Sequence, residues 1–225
     1  MQKQRSTTVT LTLAALFSAL AYLTVFILRI PFVPAVGFLK YEAKDAVLAL
    51  EALILGPVPS VLSSLVISLI EMVTISDTGI IGAVMNFLSS MAFVLPVGII
   101  YRYKRNIVGA VTGLSLSVIS ETVVMLLWNY LISPMYMGIS REAIAELLLP
   151  GFLPFNLIKS LINASITFLL YKPVIGVLRK ANLLPKRESS QKGGSNLPIV
   201  VNVICVLLLA SAIIWLIVTK INGGE

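Results

Sequence analysis

Four ionisable side chains, Glu51, Glu71, Glu121 and Lys159, fall inside apolar runs of the sequence. Near the middle of a bilayer such a group costs about 2.5–3.5 kcal/mol, so it turns toward the interior of a helical bundle. Lys159 is the most informative. With Asn156, Asn163 and Thr167 it follows a spacing of i, i+3, i+7, i+11, which puts four polar groups on one helix face. Pro154 suits the first turn of that helix, where its missing N–H leaves nothing unpaired. Asn156 and Lys159 then lie within about two turns of the helix start. Asn129, near the end of the preceding apolar run, arrives at a similar depth. Such a cluster can hold a polar guest. Equally, Lys159 can pair with Glu121 or Glu71 and the rest can serve as interhelical packing. Spacing leaves both open.

Other polar groups read as packing. Ser60, Ser64, Ser68 and Glu71 form one stripe around a buried carboxylate. Glu51, on a short apolar run, is expected near the interface and exposed. Ala15 and Ala19, with Ala14 and Ser18 beside them, make a smooth ridge; Gly109 and Gly113 do the same later in the chain. Small residues four apart let helices approach closely, and intrachain contact is the default for both. The sequence has no histidine and a single cysteine, Cys205. Histidine-based nucleophile arrangements, histidine metal sites and intrachain disulfides are therefore excluded. No catalytic residue, metal site or resident cofactor is assigned. A phosphate-binding G-x-x-x-x-G-K-[ST] loop is also missing, so the chain cannot hydrolyse ATP itself.

The elements that must position these groups are membrane helices. Of 225 residues, 58% are hydrophobic and 12% charged, and the mean hydropathy is +0.99. That composition points to an all-α polytopic membrane protein. Spans are expected at about 8–29, 44–56, 58–76, 80–101, 107–132, 153–178 and 198–219. The second is short and reads as partial or tilted, closed by Gly56-Pro57-Val58-Pro59. The first is too long for a signal-peptide core and is read as retained. The net charge of +7 comes from Lys and Arg between the apolar runs. These suit anionic lipid and topology; nucleic acid is not expected as a partner. Lys3 and Arg5, then Arg102, Lys104 and Arg105, then Arg179 through Lys192, all fall on one side if the N-terminus is cytoplasmic. Segments 30–43 and 133–152 then become outer loops, and 181–197 a flexible cytoplasmic linker.

Four passages carry a family resemblance. They are Phe38 to Asp45 (FLKYEAKD), Gly79 to Ser90 (GIIGAVMNFLSS), Trp128-Asn129-Tyr130 with Pro134-Met135-Tyr136, and Pro154 to Lys159 (PFNLIK). Together with the hydropathy profile over residues 8 to about 180, they make the chain resemble the riboflavin-specific substrate-binding (S) component of energy-coupling factor (ECF) transporters. The resemblance implies a six-helix core, here at 1–180; the linker at 181–197 joins it to the additional C-terminal helix that hydropathy places in 198–225. It implies a multi-pass protein of a prokaryotic cell membrane, with riboflavin, or FMN as a second candidate, captured at the outer side. Asn129, Asn156 and Lys159 would meet the polar edge of the flavin ring. Phe38, Tyr41, Thr78 and Gly79 would serve the lid and ribityl contacts. Ala15 and Ala19 would dock a transmembrane scaffold (T) subunit that carries two cytoplasmic ATPases. The extra helix departs from the six-helix pattern and puts that docking in question.

Two other readings stay open. One is an ion-coupled secondary transporter of a small organic solute, with Glu71 or Glu121 as coupling carboxylate; it would be expected to show an internal repeat, and none is evident. The other is an S component for a different vitamin. An intramembrane enzyme finds no paired aspartates within spans, because Asp45 and Asp77 lie near span ends.

Overall fold

The computed structural model describes residues 7–31, 39–76, 78–183 and 197–222. Helix α1 runs Thr7–Ile27, α2 Lys44–Leu55, α3 Pro57–Thr74, α4 Gly79–Tyr103 and α5 Ile107–Met137. After these come α6 (Arg141–Leu147), a π-helical turn (Leu148–Phe152), α7 (Leu153–Lys180) and α8 (Leu197–Asn222). A two-residue antiparallel pair, β1 (Ile30–Pro31) and β2 (Lys40–Tyr41), ties the two ends of the α1–α2 connection together. Among the described residues, five helical segments are long and apolar enough to cross a membrane. Helix α2, with 12 residues, rises only about 18 Å. That falls short of the ~30 Å hydrocarbon layer. The described apolar stretch of α8 is Ile199–Ala212.

Helix α2 lies at the centre of the bundle. It packs against α1, α3, α4 and α7, and ten of its residues are buried. A helix surrounded on all sides has no polar face, which is why Leu48, Ala49, Ala52 and Leu53 alternate bulk and smallness inside the main core. Phe93, Val94 and Val97 of α4, Leu114 and Val118 of α5, and Phe168 of α7 complete that core. The break after α2 is sharp. Gly56 has φ 104°, a region that favours glycine, and Pro57 opens α3 at its first position. Close approach elsewhere also rests on glycine. A Cβ on Gly113 would lie 3.0 Å from Val97 Cα, so the small-residue pair 109/113 packs α5 within the chain as expected.

Segment 133–152, expected as an outer loop, is mostly helical. Helix α5 continues through Pro134 to Met137 and stops at Gly138, whose φ of 68° closes the helix in the left-handed conformation. Ser140 then caps α6 by accepting from the Ala143 N–H at 3.3 Å. Pro150 and Pro154 remove two N–H groups from the ladder that follows, and the wide π turn lies where those donors are missing. Ala15 and Ala19 do not pack inside the bundle; both are exposed on α1. Cys205 is buried on α8, which packs against α7.

A Cβ on Gly98 would meet Pro57 Cβ at 2.9 Å and its Cα at 3.0 Å. Gly98→Val therefore forces α3 and α4 apart and should cost about 1–3 kcal/mol. Thermal unfolding in detergent should register a lower midpoint; an unchanged midpoint would mean the two helices part freely.

Candidate ligand-binding site

Ionisable groups cluster where α2, α3, α4, α5 and α7 meet the β1–β2 pair. Lys44, the first residue of α2, is fully enclosed rather than placed for lipid headgroups. Its ammonium donates to both oxygens of Glu71, at 2.8 and 2.7 Å, and lies 3.3 Å from Glu42 Oε2. Asn86 donates to Glu71 Oε2 at 2.7 Å. Arg29, just beyond α1, pairs with Glu42 Oε1 at 3.2 Å and donates to the Ile75 carbonyl at 2.8 Å. This chain of two cations and two carboxylates links the connection after α1 to the end of α3.

Lys159 occupies a second cluster deeper in the bundle. Its ammonium donates to Glu121 Oε1 at 2.9 Å and to Ser89 Oγ at 3.0 Å. It also lies 3.0 Å from Asp45 Oδ2, off the hydrogen-bonding direction, so that contact is an ion pair. Ser89 in turn donates to the same Glu121 oxygen at 2.8 Å, and Ser90 donates to Asp45 Oδ1 at 2.5 Å. Of the two carboxylates expected for Lys159, Glu121 is its partner and Glu71 is not. Asn156, Lys159, Asn163 and Thr167 are all buried on one face of α7, as their spacing predicts. Glu51 departs from expectation. It is buried with 0% exposure because α2 is central, and its Oε1 accepts from Ser63 at 2.9 Å.

Between the clusters lies a cavity of ≈ 60 Å³. Leu39, Lys40 and Glu42 line it from the β2 segment, and Arg29, Ser76 and Thr78 from its rim. Met85, Asn86 and Ser89 face it from α4, Met125 from α5, and Phe155, Asn156 and Lys159 from α7. Thr78 can fold against α4 only because Gly82 has no side chain; a Cβ there would lie 1.9 Å from Thr78 Oγ1. The volume is well below the ~300–1,000 Å³ of sites that enclose a drug-sized ligand. A larger guest must therefore displace part of the wall.

Of the residues singled out from sequence, Asn156, Lys159 and Thr78 line this cavity. Asn129 does not. It is fully buried one turn beyond the cavity-lining Met125, donates to the Met125 carbonyl at 2.7 Å, and accepts from Ser133 at 3.0 Å. Tyr41 also stands back, donating to Asn163 Oδ1 at 3.1 Å, while Asn163 donates to the Glu42 carbonyl at 3.3 Å. Burial first, and the Asp45 carboxylate second, push the Tyr41 phenol up, which keeps it a neutral donor. Gly79 starts α4 with φ 58° and faces no wall. Phe38 lies outside the described residues. Arg29, Asn86 and Ser89 were not anticipated. The signal for the Lys44 cluster was present: a lysine and an aspartate open an apolar run, and buried charges in membranes need partners.

A helical membrane bundle with a polar, part-open cavity among buried charges has the form of a solute-binding or transport protein. The chain belongs to the family described as the ECF transporter, substrate-specific component, which matches residues 9–171. It is similar to the riboflavin transporter RibU of Staphylococcus aureus (strain TCH60), with 29% identity over 174 residues, covering 74% of this chain and 90% of that protein. It is also similar to the riboflavin transporter FmnP of Bacillus subtilis (strain 168), with 26% identity covering 77% and 97%. A solved structure of the S component of a bacterial ECF transporter superposes with a TM-score of 0.63 and 28% identity, covering 76% of this chain and 97% of that one.

Removing Lys44 leaves Glu71 without a cation, while Glu42 keeps only Arg29. Lys44→Met should cost about 3–5 kcal/mol, and adding Glu71→Gln should recover part of the loss. Unfolding of the single and double variants in detergent measures both; a double variant no more stable than the single one would argue against the pairing.

Proposed function

We propose that this chain is the riboflavin-capturing subunit of an ATP-driven ECF importer. The observation that carries this reading is the placement of the Lys159 ammonium and the Asn156 amide together on the cavity wall. The polar edge of the flavin ring alternates carbonyl, N–H and carbonyl. An ammonium donates only, whereas an asparagine amide donates and accepts, so the pair suits that edge. Phe155, Met85, Met125 and Leu39 supply apolar surface for the rest of the ring. Membership of the substrate-specific family and similarity to two riboflavin transporters support the same ligand.

In this reading the cavity widens as the 39–42 segment gives way, and Thr78 stays at the rim. Asn129 exchanges its bond to the Met125 carbonyl for the ligand, while Phe38, Tyr41 and Gly79 belong to the closing side. The core is six-helical over 1–180, with α2 as its short member and α8 appended through the 181–197 segment. The N-terminus is cytoplasmic, in the cell membrane, so that the cavity opens outward. Ala15 and Ala19, exposed on α1, form the ridge for the scaffold subunit and its two ATPases. Packing of α8 on α7 leaves that ridge uncovered by α8's main contact.

Purified protein should quench the fluorescence of added riboflavin. Lys159→Ala should weaken binding about 10- to 100-fold, the worth of a ~1.5–3 kcal/mol hydrogen bond to a charged group, with unchanged helicity. Equal affinity in the variant would assign Lys159 to packing. Uptake in cells should depend on the ATPases; uptake that survives their loss and collapses with the proton gradient would favour an ion-coupled carrier.

A further inference from the structure

Lys159 has three N–H groups to give, and its ammonium has three partners. Glu121 and Ser89 accept hydrogen bonds at 2.9 and 3.0 Å, and Asp45 Oδ2 pairs at 3.0 Å. The three partners come from α5, α4 and α2. A lysine stem is long and flexible, so a single partner would not fix its head; three partners on separate helices do. The partners differ in reach. Ser89 lines the cavity beside Lys159, whereas Asp45 and Glu121 are not among the lining residues. Both carboxylates are buried, with 0% exposure. They differ in strength as well. The two carboxylates add a full ionic attraction to the ammonium that the neutral hydroxyl lacks.

From these facts we infer that ligand binding is an exchange at one leg of a tripod. The ligand's carbonyl replaces Ser89 Oγ as acceptor, while Asp45 and Glu121 keep the ammonium where it stands. Asp45 and Glu121 are thus positioning residues that never touch the ligand, and Ser89 is the group that gives way. The Ser89 hydroxyl keeps its own bond to Glu121 Oε1 (2.8 Å) throughout, so nothing polar is stranded by the exchange. Glu121 Oε1 therefore accepts from Lys159 and from Ser89, two of the cavity-lining donors, which makes it their common anchor. Asp45 is itself held, by Ser90 at 2.5 Å. This inference rests on the riboflavin reading above and adds which residues set recognition of the polar edge.

The test is a titration of riboflavin, and of its 2-thio and 4-thio analogues, in which an edge carbonyl oxygen is replaced by sulfur, a poor acceptor, against detergent-purified wild type, Ser89→Ala, Glu121→Gln and Glu121→Ala. Circular dichroism melts accompany each titration. Ser89→Ala should bind riboflavin within about threefold of wild type, or more tightly, since the leg it removes is one the bound state has already given up. Glu121→Ala should lose about 10- to 100-fold, and Glu121→Gln, which keeps an acceptor in place, should recover part of that. The preference for riboflavin over the thio analogue whose altered carbonyl meets Lys159 should shrink in Glu121→Ala, whereas a merely structural defect would weaken all the ligands alike. If Glu121→Ala does not fold, Glu121→Gln carries the comparison: reduced preference supports the inference and unchanged preference overturns it. Wild-type affinity in both Glu121 variants, or a loss in Ser89→Ala equal to that in Glu121→Ala, overturns the tripod and leaves the riboflavin reading standing. No binding by the wild type overturns both.

Discussion

A charged side chain inside a membrane bundle has to be paired, and the pairing of Lys159 organises this molecule. The ammonium cannot be left alone in hydrocarbon, and water is not there to replace a missing partner. Its two carboxylates come from α2 and α5, and its hydroxyl partner from α4. Each of those helices is held in position at the level of Lys159 by the need to bring its group to the ammonium. The Lys44 cluster repeats the logic nearer the cavity mouth, joining α2 to α3 and α4 through Glu71 and Asn86. Hydrophobic contacts fill the bundle, but they are non-directional. The ion pairs are what single out one register of these helices against their neighbours.

Helix α2 shows why structure and recognition are hard to separate here. It is too short to span a membrane, and it is enclosed on every side. Its first two residues supply Lys44 to one cluster and Asp45 to the other. Neighbouring positions on a helix point about 100° apart, so a single helix start serves both clusters. The Gly56–Pro57 break then returns the chain immediately as α3, whose serines bond back to α2: Ser60 to the Leu48 carbonyl and Ser63 to Glu51. The result is a hairpin whose open end, away from the Gly56–Pro57 turn, carries Lys44, Asp45 and Glu71.

The parts of this arrangement legible in the sequence are those governed by local periodicity. The polar face of α7 followed from the spacing of Asn156, Lys159, Asn163 and Thr167, and all four are buried. The apolar runs located the long helices to within a few residues, and the Gly-Pro break located the α2–α3 turn. Long-range partners were less accessible. Glu121 was a candidate for Lys159, yet Asp45, which is 114 positions before it, was placed near a span end, since nothing local reveals that α2 is central. The same blind spot misplaced Glu51, expected at an interface and found enclosed. The helical character of 133–152 was masked by Pro134, Pro150 and Gly138, which read as loop formers although a π turn and a left-handed cap accommodate them.

The cavity is small because the polar groups around it satisfy one another. Asn156 donates to the Phe152 carbonyl at 2.8 Å, Asn129 to Met125, and Lys159 to Glu121 and Ser89. In the proposed mode of binding the amide bonds and the Ser89 bond are traded for ligand bonds, while the Lys159–Glu121 pair stays. A site built this way avoids the cost of naked polar atoms when no guest is present. It also makes binding depend on what the guest offers in exchange. An apolar molecule would strand the amides and the ammonium, whereas a planar ring with alternating carbonyl and N–H replaces what it displaces. Selectivity then arises from the penalty for a wrong guest, which is the larger effect when buried polar groups line the wall.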